Sequence, residues 1–283
     1  MFERIAPAKI NLYLHILNRR AGGYHALESL VAFADCGDRL GLDLSRPFAL
    51  KITGPFARKC GEAEQNSVLK AARALQLRLP ELQLGAFTLE KNLPVAAGLG
   101  GGSADAAATL RLLAEANNIR EDDQLIADAA LYVGADVPVC LRAQPAFMRG
   151  IGEEVTPVTL PHCAAVLVNC GKPLLTREVF AKLDLREKQS QDLGAPPQDF
   201  TALVALLKTK TNDLAEAARA LCPEIKQVEQ AVQETGAALT RLSGSGATVF
   251  GLYRDKSQAE NAAQLLRQNH PQWWVKAAAL NAL

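Results

Sequence analysis

Lys9 and Asn11 stand two residues apart in PAKINLYLHIL, on one face of a stretch whose apolar and polar side chains alternate. Further on, four glycines (Gly98, Gly100, Gly101 and Gly102) occupy five positions of LPVAAGLGGGSADAAATL, directly ahead of an alanine-rich run, with Ser103 at the junction. Asp136 lies in GADVPV, and RLSGSGATVFGLY carries a second small-residue loop at Ser243, Gly244, Ser245 and Gly246. Glycine loses more freedom on folding than any other residue, so such a run before a helix needs a reason. Three readings are open: a flexible surface connection, close helix packing, or a concave set of bare N–H groups leading into a helix N-terminus. The last explains most, because free donors and the positive dipole end favour phosphate there. The Ser103 hydroxyl can then face a phosphate or its metal. The run is not a Walker loop, since no lysine falls between Lys91 and Arg111. It is not a dinucleotide fingerprint, since Ser103 stands where the third glycine belongs. The other blocks keep local alternatives: Lys9 as a solvated strand residue, Asp136 as a turn residue bonding its own backbone, SGSG as a plain hairpin connection.

The elements that must position these residues follow from period and punctuation. The alternation over 9–16 predicts a half-buried strand. AGGY at 21–24 reads as a turn, followed by a strand around 27–33 and short strands as far as Ile52. Asn66 is placed to cap a helix whose stripe is Val68, Ala72 and Leu75. Ala86–Glu90 reads as a strand, and a helix is expected from about Ala104 to Ala116. Another, near 122–132, should stop at Gly134, with Asp136 between that stop and a strand. AAVLVN at 164–169 is strand-like. Residues 184–200 read as a long loop or insert. Pro223 opens a helix with Ile225, Val228 and Val232, closed by Gly236. Ser257 and Glu260 suggest a capping box for the last helix. Strands and helices mix without regular alternation, which predicts an α+β fold.

Composition narrows the partners. The chain has 283 residues, 49% hydrophobic and 22% charged, with a net charge of +1. That argues against a broad surface for nucleic acid or anionic membrane, while leaving room for a local anion pocket. No run approaches the ~18 apolar residues of a membrane span, and MFERIAPAKIN shows no signal pattern. The six cysteines form no CxxC pair and the four histidines no HxxxH. A cytoplasmic protein with reduced thiols, no zinc site and no disulfide framework is expected.

Taken together, the blocks resemble the GHMP kinase family, which includes galactokinase, homoserine kinase and mevalonate kinase. PAKINLYLHIL with GGYHALESL is similar to its N-terminal motif, LPVAAGLGGGSADAAA to its ATP-binding motif, and GADVPVCL, GIGEEVTPV and LSGSGATVFGLY to later ones. The likeness runs almost end to end and is weakest over 184–222. It implies a two-domain α+β fold, 1–155 and 156–283, with the active site in the cleft between domains. It implies ATP-dependent phosphorylation of a small alcohol. The closest branch acts on the 2-hydroxyl of a cytidine-diphosphate-linked methylerythritol, in the non-mevalonate route to isoprenoid precursors. On that resemblance Asp136 is the base and Lys9 its cationic neighbour, with Asn11 reaching the same site. Pro94, Val95, Ala96, Ala97, Gly98, Leu99, Gly100, Gly101, Gly102 and Ser103 hold ATP, with Asn66 and Lys91 towards the adenosine. Mg²⁺ enters with the nucleotide and meets Ser103. Tyr24 and Phe180 sandwich the cytosine, and His25 bonds its edge. A homoserine- or mevalonate-type kinase is the alternative within the family, and a ligand-binding sensor of the same fold the alternative outside enzymes. The YH pair argues against the first; Lys9 and Asp136 together argue against the second.

Overall fold

The computed structural model describes residues 1–20, 23–185, 188–190, 194 and 196–281, so parts of the expected 21–24 turn and 184–200 loop lie outside the described residues. The chain forms two compact units that interleave along the sequence. One takes residues 1–8, 37–95 and 100–143; the other takes 9–36, 96–99 and the chain from Gln144 onward. Two long strands, β1 (Phe2–Arg19) and β2 (His25–Asp43), pair with each other and run through both.

In the first unit, the end of β2 pairs antiparallel with β4 (Ala86–Glu90), which pairs in parallel with β3 (Ala49–Thr53). A parallel pair needs a crossover, and α1 (Ser67–Gln76) lies in it. Asn66 caps α1 as its spacing predicts, accepting the Val68 N–H at 2.9 Å. The buried stripe includes Val68, Ala72 and Leu75. Helix α1 packs on α2 (Gly101–Ala116) and α3 (Gln124–Val133), and α2 packs also on α4 (Val137–Arg142). Gly134 ends α3 as expected. The strand expected after Asp136 is instead the short helix α4. VPV alternates like a strand, but Pro138 sits in the first turn, where its missing N–H costs nothing.

In the second unit, β7 (Cys163–Asn169) lies between β10 (Trp274–Leu280) and β9 (Thr248–Tyr253), and β8 (Leu239–Leu242) completes the antiparallel run. Strand β5 (Ala146–Arg149) pairs with β2, and β6 (Glu154–Pro157) with β5. Helices α5 (Thr176–Ala181), α6 (Phe200–Lys208) and α7 (Ala215–Leu221) precede α8 (Glu224–Glu234), followed later by α9 (Lys256–Asn269). The core joins Val166 and Val168 of β7 and Val249 of β9 to Ile225, Val228 and Val232 of α8 and Ala263 and Leu266 of α9. The stripe read in the sequence after Pro223 is thus the inward face of α8. The expected capping box at Ser257 is corrected. Asp255 caps α9, accepting the Gln258 N–H at 2.9 Å, and Ser257 lies inside the helix with its hydroxyl bonded to Asp255. The mixture of elements is α+β, as expected.

Candidate active site

The expected half-buried strand is a correction of another kind. Lys9, Asn11, Tyr13 and His15, its polar face, are as buried as the apolar one, at 8% exposure or less. Burial of polar groups requires partners. The Asn11 carboxamide donates to Ser29 Oγ at 2.8 Å, and Ser29 donates to the Tyr13 carbonyl. His15 Nε2 accepts the Thr211 N–H, leaving Nδ1 to donate to Glu28 at 3.2 Å. Burial pushes the His15 pKa down, which suits this neutral tautomer. The solvated-strand alternative for Lys9 therefore falls away.

Residues 96–99 of the glycine run are stitched to the same strand and to the second small-residue loop. The Lys9 N–H donates to the Leu99 carbonyl at 2.9 Å. The Asn11 N–H donates to Ser243 Oγ at 3.2 Å, and Ser243 donates on to the Gly98 carbonyl at 2.8 Å. Thr248 N–H bonds the Ala97 carbonyl and Leu174 N–H the Ala96 carbonyl. A Cβ on Gly98, whose φ is +74°, would stand 2.2 Å from the Ser243 carbonyl oxygen. Close packing therefore holds at this position, but against the second small-residue loop and not against a helix as expected. Ser245 Oγ meets Thr176 Oγ1 at 3.0 Å, and Asn169 donates to Thr248 Oγ1 at 2.9 Å. Sequence reasoning passed over Ser29, Asn169 and Thr176, for which only three-dimensional partners give a signal.

In the same unit, Tyr24 precedes β2 and is 62% exposed. His25 opens β2, and its ring centroid lies 4.9 Å from that of Phe180 on α5, tilted by 30°. Burial and the nearby Arg19 charge hold the His25 pKa below the usual value. A neutral imidazole offers one donor and one acceptor, the complement of a heterocycle edge.

In the first unit, the remaining glycines open α2. Helix α2 starts at Gly101, three positions before the expected Ala104, and Gly100 caps it in the left-handed region at φ +61°. The first helical bond runs from Ala104 N–H to the Gly100 carbonyl, so the N–H groups of Gly101, Gly102 and Ser103 precede it. Gly102 is exposed, and a Cβ there would meet only Ser67 Oγ, at 3.7 Å. This is the geometry of an anion cradle at a helix end.

Beneath the cradle, Lys91 is buried and bridges Asp38 at 2.5 Å and Asp105 at 2.6 Å. Asp38 also accepts the N–H groups of Asn92 and Leu93. A Cβ on Gly101 would come 3.3 Å from Lys91 Nζ. Burial, followed by the Asp38 charge, pushes the Asp105 carboxyl up to about 7 against the pull of Lys91, while both carboxylates hold Lys91 protonated. Asp105 Oδ1 makes no hydrogen bond. Asp38 and Asp105 were missed in the sequence. The available signal was an acid inside an alanine run, two residues after Ser103. Asn66 spends its carboxamide oxygen on the α1 cap. Asp136 stands half-buried just before α4 and makes no capping bond to it, so it is not an ordinary helix cap.

Two Gly/Ser loops, one of them opening a helix, are features that a phosphate-handling protein needs. Models of the GHMP kinases N terminal domain and GHMP kinases C terminal region match residues 66–144 and 196–272, and the chain belongs to the GHMP kinase family. It is 47% identical to a protein of Nitrobacter winogradskyi named 4-diphosphocytidyl-2-C-methyl-D-erythritol kinase, across 97% of this chain and 92% of that one. A Rhodopseudomonas palustris protein of the same name is also 47% identical, covering 98% and 96%. A crystal structure of 4-(cytidine 5'-diphospho)-2C-methyl-D-erythritol kinase superposes with a TM-score of 0.75 at 34% identity, with both chains fully covered. A homoserine kinase from Cytophaga hutchinsonii, at TM-score 0.68 and 17% identity, shares the fold.

Proposed function

We propose that this chain transfers the γ-phosphoryl group of ATP to the 2-hydroxyl of 4-diphosphocytidyl-2-C-methyl-D-erythritol, a step of the non-mevalonate route to isoprenoid precursors. Within the site, the observation that carries the reading is the Lys9 N–H to Leu99 carbonyl bond, which ties the lysine strand to the phosphate loop. Near-full-length likeness to kinases of that name supports the substrate over homoserine or mevalonate. In this reading residues 1–155 are the N-terminal kinase domain, with the glycine loop, Lys9 and Asp136, and 156–283 the C-terminal one.

Phosphoryl transfer asks the protein mainly to position groups and to balance charge. Asp136 accepts the proton of the attacking hydroxyl. Lys9 offsets charge on the phosphoryl oxygens, with Asn11 beside it on β1. The N–H groups of Gly101, Gly102 and Ser103 hold the phosphates, and Pro94 to Gly100 shape the approach. Lys91 holds the loop from below through Asp38 and Asp105, on the adenosine side with Asn66. Tyr24 and Phe180 stack the cytosine, and neutral His25 bonds its edge.

Among the described residues, no group of three His, Cys, Asp or Glu side chains could hold a metal by itself. A hydroxyl at a phosphate-binding helix end does fit Mg²⁺ carried in on ATP; Ser103 would be its contact, and the ion would supply charge to neutralise the phosphates. Among the same residues, no helix is long and apolar enough to cross a membrane, and we place the enzyme in the cytoplasm. The test is ADP release with cytidine-diphosphate methylerythritol, homoserine and mevalonate in parallel. The reading requires turnover with the first; equal turnover with either plain alcohol overturns it.

A further inference from the structure

We propose that Cys170 and Cys222 are a redox modification site, joined reversibly into a disulfide by a low-molecular-weight disulfide such as oxidised glutathione. Their sulfurs lie 3.8 Å apart, one just after β7 and the other at the end of α7. Closing to bonding distance takes about 1.8 Å, within reach of side-chain rotation. The two thiols are unequal. Cys170 is partly exposed, whereas Cys222 is buried. Burial and the neighbouring Cys170 push the Cys222 thiol up to about 12. The Cys222 thiol also points at Glu224 Oε2, 3.4 Å away, and Glu224 in turn pairs with Lys172.

That asymmetry sets the order of steps. Cys170 thiolate attacks the small disulfide first, forming a mixed disulfide and releasing one thiolate, which takes up a proton as the first free thiol. Cys222 then loses its proton to solvent and attacks the Cys170 sulfur, displacing the second thiolate, which takes up a proton in turn. Two protein thiols are oxidised and one small disulfide is reduced to two thiols. The bond closes a loop of about fifty residues containing α5, α6 and α7, which stabilises the chain by restricting its unfolded state. A thiol-rich compartment keeps the pair reduced, so the disulfide forms only under oxidative load.

The native chain is incubated in mixtures of oxidised and reduced glutathione, alkylated, digested without reduction and mapped by mass spectrometry. The expected product is a Cys170 peptide joined to a Cys222 peptide, separated again by dithiothreitol, with a raised and reversible Tm. Cys222→Ser should accumulate glutathione on Cys170. A wild-type map with a lasting adduct and no cross-link overturns the proposal. So does a cross-link that forms only after denaturation. Both readouts use the wild-type protein and stand even if a variant fails to fold. Neither depends on the kinase reading.

Discussion

The glycine run divides at Leu99 into halves that use the same residue for opposite reasons. Gly98 is closed: a single methyl group would overlap the Ser243 carbonyl. Gly102 is open: a methyl group would find ordinary contact with one hydroxyl and otherwise space. The same contrast separates the two buried lysines named in the sequence. Lys91 is held by two carboxylates under the loop, whereas Lys9 lies on a strand whose backbone holds the loop's edge. A motif therefore mixes glycines packed against backbone with glycines that leave space above theirs. Substitutions should tell them apart, because closed positions cost stability first and open positions cost activity alone.

The largest effect should come from the proposed base. Asp136→Asn keeps shape and removes the base, and turnover should fall by about 10²–10⁴-fold with Tm and ATP affinity unchanged. Steady-state kinetics with calorimetry on the same samples checks this. Turnover within about tenfold of wild type, where chemistry limits the rate, would remove Asp136 from the mechanism.

Gly98→Ala is the closed counterpart. Overlap with backbone at a left-handed φ should cost about 3 kcal/mol or more of stability, so Tm and activity fall together. A variant with wild-type Tm that loses only ATP affinity would erase the division at Leu99.

Tyr24→Ala and Phe180→Ala should each weaken the cytidine substrate and spare ATP. Stacking on an aromatic is worth about 1–3 kcal/mol, or roughly five- to 150-fold in affinity. The two losses should not add, since both rings would touch one base. Titration calorimetry on folded samples checks this, and wild-type affinity in folded Tyr24→Ala would end the stacking role.

Asp105 sharpens the closed side through pH. Its folded pKa, about 7, lies above the ordinary carboxyl value of 3.8. The folded state therefore holds the proton more tightly, and this stabilising contribution is complete below about pH 4 and is lost as pH rises towards 7. Asp105→Asn stays neutral and should lack that slope in urea unfolding measured across the window. A wild-type-minus-variant difference that is flat from pH 4 to 7 would mean that Asp105 stays ionised beside Lys91.

The smallest effect belongs to Gly102→Ala. Alanine suits a helix better than glycine, so Tm should hold or rise slightly while KM for ATP increases severalfold. A KM equal to wild type would place the phosphates elsewhere.

Local chemistry was legible in the sequence because its partners lie within a few residues. The Asn66 cap, β4, the Gly134 stop, the α8 stripe after Pro223 and the β8–β9 pair around SGSG all depend on short-range spacing. The α+β class and the family followed from the order of such blocks. Tertiary structure alone decided the rest. Alternation in β1 signals two faces, but only Ser29, Glu28 and Ser243 explain why the polar face is buried. VPVCL alternates like a strand yet forms α4, because one proline at a helix start outweighs two β-branched residues. Asp255, not Ser257, caps α9, a choice between neighbours that composition leaves balanced. Lys91 meets Asp38 across 53 positions, and Asn11 meets Ser243 across 232. Spacing along a chain encodes no partner at that range, because only burial, which makes an unpaired polar group costly, selects it.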